Sequence, residues 1–318
     1  MRAIELRRVV KRYGRVVAVG GVTHSVDRGE VHVLLGPNGS GKTTLLKIVC
    51  GIVRPSEGEV LVLGRSPFDD PDVKASIGYS PQEPLLYGDL TGFENAILYA
   101  TLNDAPRAEA VERIRELAKS LGIGEWFFKR RLKTYSGGMM RKASIVAALA
   151  HDPEVVVLDE PTSGLDPDSR RALWSFVAEL KEGGKAVLVA THLFEDAEAM
   201  SDRVVIMSAG RKVAEGSPEQ LKRSLPCSYA VEMEFVSEPP KSVVDAIASA
   251  SVEGRMLRYG LTFRIYVDDP SELSTVQRLV EGAGVRALRL EAKSIGLDDV
   301  YFMVTGRALG GGEVGAEA

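Results

Sequence analysis

Cysteine is scarce in this 318-residue chain: Cys50 and Cys227 are the only two and lie far apart, so no disulfide framework is expected. With no secretory segment at the N-terminus, that scarcity points to the cytoplasmic side. Histidine is scarce too. His24, His32, His151 and His192 are the whole set, and none stands at metal-ligand spacing from another histidine or a cysteine, which argues against a zinc site. Long apolar runs are missing: stretches such as Ile145 to Ala150 fall far short of the roughly 20 residues that span a bilayer. Any membrane role must therefore come through a partner. An excess of positive charge is missing as well. Forty basic against 44 acidic residues leave a formal net charge of −4, and no nucleic-acid partner is expected. What remains is an ordinary globular composition, 45% hydrophobic and 26% charged, in a chain long enough for one good core and usually two domains.

The pattern of apolar residues divides the chain. Ile4 to Tyr13 alternates as a strand entering a turn at Gly14, and Val16 to Gly21 and Gly29 to Leu35 continue in that style. A glycine-rich loop then leads into a helix over Thr43 to Val49. Leu61 to Leu63 and Ile77 to Tyr79 read as short strands. Ala105 to Leu121 reads as a helix with Val111, Ile114, Leu117 and Ala118 on its apolar side. A second helix, Met139 to Ala150, stops before Pro153. Val155 to Leu158 is a continuous apolar run, as in a strand covered on both faces. Helix and strand then repeat over Arg170 to Lys181 and Val187 to Ala190, followed by Val204 to Ser208. This βα alternation implies an α/β fold with a largely parallel sheet. A boundary is expected near Ser217 to Pro226. Beyond it the order is strand (Tyr229 to Val236), helix (Pro240 to Ala250), strands (Glu253 to Arg258 and Leu261 to Val267), helix (Pro270 to Glu281) and strand (Val285 to Leu290). That is the βαββαβ order of a small split-βαβ domain, and a short helix from Leu297 to Thr305 follows. Gly310 to Ala318 has three consecutive glycines and no apolar pattern, and reads as a tail.

Gly36-Pro37-Asn38-Gly39-Ser40-Gly41-Lys42-Thr43 fits G-x-x-x-x-G-K-[ST], between an apolar strand and a helix start. Its glycines let the backbone wrap closely and turn N–H groups inward, toward phosphate oxygens. The helix start adds its dipole. Lys42 supplies a positive charge for the β- and γ-phosphates, and Thr43 a hydroxyl for magnesium. A glycine-rich turn with a chance lysine is the bland alternative, and the complete pattern in this context argues against it. Val155-Val156-Val157-Leu158-Asp159-Glu160 is an apolar strand that delivers two carboxylates at its C-terminal end, where open α/β sheets bind ligands. Asp159 suits magnesium, and Glu160 suits polarising an attacking water. Alone, the two acids could be a solvated turn before Pro161.

Tyr135-Ser136-Gly137-Gly138-Met139, between these two motifs, resembles the LSGGQ signature of the nucleotide-binding subunits of ABC (ATP-binding cassette) transporters. Tyr135 stands for the usual leucine and Met139 for glutamine, while the Ser-Gly-Gly centre is intact. A serine hydroxyl and glycine N–H groups at a helix start make an anion-binding corner. Met139 removes a side-chain amide but no backbone donor. The resemblance implies ATP as substrate with Mg²⁺, and a homodimer in which Ser136, Gly137 and Gly138 of one chain close over the γ-phosphate held by the other. Within a chain it places Gly36, Pro37, Asn38, Gly39, Ser40, Gly41, Lys42, Thr43 and Thr44 around the nucleotide, with Thr43, Gln82 and Asp159 toward the metal. Tyr13 lies where the family stacks an aromatic on adenine; a strand-end core tyrosine is the alternative. Gln82, between Pro81 and Pro84, matches the family's glutamine loop, unless it merely fills a turn. Asp166, in Ser163-Gly164-Leu165-Asp166, matches the loop that organises the facing site, or else a plain turn before Pro167. His192 matches the switch histidine that holds Glu160 and water in place.

The likeness extends over about residues 2–220. It implies a P-loop domain with a RecA-like core, an antiparallel β subdomain and a helical subdomain at about 88–150. A small α+β domain, ferredoxin-like in order, is expected at 221–306 and a flexible tail at 307–318. Leu297 to Arg307 looks like the closing segment of exporter-type ATPases related to drug and polysaccharide efflux, and Leu90 to Asn95 resembles their entry into the helical subdomain. The implied partner is a separate transmembrane permease, with this chain peripheral on the inner face of the membrane. Two other readings stand beside it. A soluble ABC ATPase acting on ribosomes or DNA usually carries two cassettes or a long coiled-coil insertion, and neither is present here. A non-hydrolysing regulatory module fits poorly with intact Glu160 and His192. The sequence does not name a cargo.

Overall fold

A computed structural model describes residues 1–252 and 255–306 and the backbone of 313–315. The chain divides into two compact units, Met1–Lys212 and Val213 onward.

The first unit opens with β1 (Arg2–Tyr13), β2 (Val16–Asp27), β3 (Val31–Leu35), helix α1 (Lys42–Val49) and β4 (Glu57–Val62). The short helix α2 (Pro71–Ala75) and β5 (Ile77–Ser80) follow. Then come four helices, α3 (Gly92–Leu102), α4 (Arg107–Ser120), α5 (Trp126–Lys129) and α6 (Gly137–Leu149). The unit closes with β6 (Val155–Asp159), α7 (Pro167–Glu182), β7 (Ala186–Thr191), α8 (Phe194–Met200), β8 (Arg203–Ser208) and the start of β9 (Arg211–Gly216), a strand that crosses the division. Strands β2, β1 and β4 make an antiparallel sheet. The expected strand Val16 to Gly21 does not end at its glycines. Gly21, at φ +83°, is the extra residue between the Val9–Val22 and Val10–Gly20 pairs, so it forms a bulge and β2 runs on to Asp27.

The second sheet has the order β5-β6-β7-β3-β8-β9, and its central pairs are parallel. Every residue of β3, β6 and β7 is buried, as continuous apolar strands require when both faces are covered. One core joins the two sheets around α1: Ile4, Leu6 and Val26 meet Leu45, Ile48 and Val49, and these meet Val155, Val157 and Leu188. Each such fully buried side chain contributes about 1.5–3 kcal/mol of apolar transfer. Helices α3 to α6 pack on one another, within the span expected for the helical subdomain. In α4 the buried stripe is Ala110, Ile114, Leu117 and Ala118, with Val111 only half-buried.

In the second unit α9 (Pro218–Arg223) packs against the last described helix, α12 (Leu297–Thr305). Between them run β10 (Tyr229–Phe235), α10 (Lys241–Ser249), β11 (Met256–Tyr259), β12 (Thr262–Val267), α11 (Glu272–Gly282) and β13 (Ala287–Ser294). The sheet order β13-β10-β12-β11, with antiparallel neighbours, is that of a ferredoxin-like split βαβ. Helices α10 and α11 supply Val243, Ile247, Val276 and Val280 to the core under one set of strand side chains, and α12 supplies Phe302 and Met303 to a second cluster with Tyr266. Of the expected tail, 307–312 and 316–318 lie outside the described residues, as do Glu253 and Gly254. The backbone of Glu313–Gly315 pairs with β11 as β14.

Candidate active site

The C-terminal ends of the adjacent strands β6, β7 and β3 converge, so three loops meet where α/β sheets present their ligands. After β3, the chain turns through Gly36. A Cβ there would lie 2.3 Å from the Met207 carbonyl oxygen, which excludes any other residue. Gly41 is constrained twice, by φ of +99° and by the Ala18 carbonyl 2.3 Å from a Cβ. Gly41 is also the N-cap of α1 and offers no side chain to its first turn, whose N–H groups stay available to an anion. Lys42 folds back over the loop. Its Nζ donates to Gly36 O at 2.6 Å and Pro37 O at 3.2 Å and lies 3.6 Å from Glu160 Oε1. Burial pulls the ammonium's pKa down, opposed by the charges of Glu160 and Asp159.

Asp159 ends β6, and Glu160 follows at φ +50°, a left-handed conformation that side chains seldom adopt. Glu160 N donates to Ala190 O at 2.8 Å, so the turn is pinned to β7. Its carboxylate is bracketed: Oε1 faces Lys42, and Oε2 is 2.8 Å from His192 Nδ1. Thr43 Oγ1 donates to Asp159 Oδ1 at 3.2 Å, while buried Asp159 Oδ2 has no hydrogen-bond partner among the described residues. Burial raises the pKa of Asp159 and neighbouring Glu160 adds to it, against the Thr43 hydrogen bond and Lys42.

A cavity of about 440 Å³ opens over this cluster, lined by Tyr13, Val16–Ala18, Asn38–Thr44, Gln82 and Glu160. It is wide enough for a nucleotide-sized ligand. Thus the structure gathers Tyr13, residues 38–41 of the glycine loop, Lys42, Thr43, Thr44, Gln82 and Glu160 around one space, with Asp159 and His192 bonded to its lining residues; Gly36 and Pro37 do not line it and accept from Lys42 Nζ. Tyr13 is 49% exposed and is not a core tyrosine.

Ser136, Gly137, Gly138 and Asp166 do not line that cavity. Ser136 is exposed and caps α6, accepting from Met139 N at 3.3 Å; exposed Gly137 begins the helix. Asp166 caps α7 through Ser169 N at 2.9 Å, and this bond holds its carboxyl below the usual range. Within one chain, then, Asp166 behaves as the plain helix start. Tyr135 has a distinct local role: its hydroxyl accepts from Gly92 N at 3.1 Å, and its ring stands edge-on to Trp126 at 4.9 Å.

Two buried residues escaped the sequence reading. Arg141 bonds the carbonyls of Pro81 and Gln82. It lies four residues before Ile145 and seven before Ala148, so the helical period places a charge on the buried stripe, and that signal was legible. Fully buried Asp196 accepts from Thr162 Oγ1, from Trp174 Nε1 at 3.0 Å and from Thr191 Oγ1 at 3.4 Å, joining the loops after β6 and β7. No sequence pattern marks it. The histidines need one correction. His24 lies inside β2, and its Nε2 is 2.9 Å from His32 Nδ1, so two histidines do meet in space. No group of three metal-binding side chains forms among the described residues.

Residues 19–163 match the sequence model of the ABC transporter family. The Nod factor export ATP-binding protein I of Burkholderia orbicola (strain AU 1054) is 35% identical over 311 residues, covering 96% of this chain and 98% of that protein. The daunorubicin/doxorubicin resistance ATP-binding protein DrrA of Streptomyces peucetius is 36% identical over 319 residues, covering 96% and 93%. Among solved structures, the dimeric bacterial ABC transporter cassette MJ0796 aligns with a TM-score of 0.62 at 28% identity, over 67% of this chain and 98% of that one. With relatives at this identity spanning nearly its full length, the chain belongs to the ABC transporter family and is an ATPase subunit of that family.

Proposed function

We propose that this chain closes as a homodimer around two ATP molecules with Mg²⁺ and drives a separate transmembrane permease of an exporter. The observation that carries the proposal is an incompleteness. The cavity is lined by a phosphate cradle, a cation and the Glu160 carboxylate, with Asp159 and His192 bonded to its lining residues, while the Ser136 corner stands exposed outside it. A second chain's corner completes each site in a two-fold arrangement. The solved MJ0796 cassette is a dimer, which supports this reading.

In the proposed reaction the loop N–H groups and Lys42 hold the β- and γ-phosphates, and Tyr13 stacks on the base. Thr43 and Asp159, whose orphaned buried oxygen suits a cation, would hold Mg²⁺ with Gln82 nearby; bound there, the ion neutralises phosphate charge. Glu160 orients a water and takes its proton as the water oxygen bonds to the γ-phosphorus. The bond from that phosphorus to the bridging oxygen breaks, leaving ADP and phosphate. His192, in the tautomer protonated at Nδ1, donates to Glu160 Oε2 and holds the carboxylate in aim. Positioning and fixed charge supply most of the acceleration.

The export direction rests on the relatives, named for Nod factor export and for drug resistance, whose similarity continues through the second unit. No described helix is long and apolar enough to cross a membrane, and the proposal assigns that passage to the permease, with this chain on the membrane's inner face.

The test is light scattering of Glu160→Gln with and without Mg-ATP. Removing the base should slow turnover by about 10²–10⁴-fold, and the chain should accumulate as an ATP-dependent dimer. Adding Ser136→Arg should abolish the dimer and leave ATP binding to the monomer intact. A double mutant that dimerises as well as the single one refutes the shared site.

A further inference from the structure

Helix α6 carries Ser136 at its N-cap and Arg141 in its second turn. Arg141 is only 6% exposed and has no carboxylate within ion-pair distance among the described residues. Its guanidinium is spent on two neutral carbonyls: Nη1 donates to Pro81 O at 2.7 Å and Nη2 to Gln82 O at 2.5 Å. One turn on, Ser144 Oγ and Ser80 Oγ, both buried, are 3.0 Å apart. Residues 80, 81 and 82 are therefore each bonded to the same helix. Burying a cation without a paired anion is costly. Here the nearby charges of Asp159 and Glu160 favour it, against a burial that lowers its pKa. The clamp takes only the main chain of Gln82. Gln82 lines the cavity, and its side-chain amide has no hydrogen bond among the described residues. From Ser136 to Arg141 the helix rises about 7.5 Å, a short rigid span.

We propose that Arg141 is a positioning residue that fixes the Gln82 loop to the helix bearing Ser136 and so holds Gln82 in place at the cavity. This rests on the reading of the cavity as the ATP site, not on the sharing of sites between chains, and the tests separate the two.

The experiment is a double-mutant cycle on steady-state ATPase activity with Arg141→Ala, Gln82→Ala and both, alongside equilibrium Mg-ATP binding and thermal melting. Arg141→Ala should lower kcat on the order of 10- to 100-fold, the cost of a small misplacement at a reaction centre, with ATP affinity of the monomer unchanged. Arg141→Lys, which can reach the carbonyls without the planar fork, should recover much of the rate. The double mutant should be no slower than the worse single mutant. Multiplicative losses overturn the proposal, because Arg141 would then act independently of the Gln82 loop. Parallel losses of kcat, ATP affinity and melting temperature overturn it too, reducing Arg141 to a fold residue. Should Arg141→Ala fail to fold, the same cycle is run with Arg141→Met, which keeps the packing and removes the donors, and multiplicative losses there count equally against it. Failure of Glu160→Gln to dimerise removes the shared-site reading, while the cycle still reports whether Arg141 acts through Gln82.

Discussion

The two units each hold a partly buried cluster of charge, and they treat it in opposite ways. In the second unit Arg264 donates to Asp298 at 2.6 Å, Asp299 at 3.0 Å and Glu232 at 2.8 Å. Asp299 also accepts from the Tyr266 hydroxyl at 3.1 Å and Gly296 N at 2.9 Å. Burial alone would lower the pKa of Arg264, but these carboxylates outweigh it and raise it. In the first unit the nearest carboxylate to Lys42 is 3.6 Å away, and Asp159 Oδ2 and Ser40 Oγ are buried without partners among the described residues. A satisfied network ties strands to a helix and needs nothing further. An unsatisfied one is held in place by the fold and completed by a ligand.

The comparison is broken most directly by removing a charge from each cluster. Arg264→Leu leaves buried Asp299 and half-buried Asp298 without their cation, while Glu232 keeps Lys293 at 3.8 Å and Arg289 at 3.9 Å, and it should destabilise the second unit by about 3–5 kcal/mol in urea unfolding, with ATP affinity unchanged. Asp159→Asn removes a charge that burial already disfavours. It should leave the nucleotide-free chain at least as stable, while Mg²⁺-dependent ATP binding is lost. Equal destabilisation by both variants sinks the distinction.

Next in size is Lys42→Ala. Removing a charge-assisted contact should weaken ATP binding by about 1.5–3 kcal/mol, read by titration calorimetry. Unchanged affinity would take the cradle away from this loop.

How far the sequence carries this distinction depends on distance along the chain. The glycine loop, the acid pair after an apolar strand and the βαββαβ order are local patterns, and each element lies within a few residues of its expected place. The helix Gly92–Leu102 is expected only through the likeness of Leu90 to Asn95 to the entry of a helical subdomain, although Thr91 and Glu94 form a capping box at its start, a signal legible in four residues. The Arg264 cluster joins residues 32 to 35 apart, and Asp196 meets Thr162 across 34; no local spacing encodes such meetings. The opposite outcomes for Asp166 and Asp159 follow the same logic. Both are acids at element ends, but one finds its donor three residues on and the other is left with an open oxygen.

A pH dependence sharpens the contrast. Because the folded, ligand-free chain holds Asp159 above the ordinary aspartate pKa, protons compete with Mg²⁺ at higher pH than at an exposed aspartate. Lowering the pH from 7 should therefore weaken Mg²⁺-dependent ATP binding early. The direction follows from linkage: the metal needs the carboxylate, and a raised pKa depletes it as pH falls through that value. Calorimetry across pH should show protons released on binding, and Asp159→Asn should release fewer.

The smallest effect is expected at the rim of the same cavity, at Tyr13. It ends β1, is 49% exposed, and carries the Lys11 ammonium 5.1 Å over its ring. Nothing in the fold needs an aromatic here. A half-exposed ring contributes little to the core, so its cost is recovered only when another flat surface covers it. If adenine does so, Tyr13→Ala should lower ATP affinity by about 0.5–1.5 kcal/mol, the worth of an aromatic stacking pair. Tyr13→Phe should bind ATP nearly as the parent does, because the ring and not the hydroxyl makes the contact. Neither should shift the melting of the nucleotide-free chain by much. ITP in place of ATP adds a second reading, since a base with different exocyclic groups still stacks and should lose the same increment in Tyr13→Ala. A loss confined to ATP would instead place Tyr13 beside the base edge, and equal melting losses in both variants without nucleotide would return it to the fold.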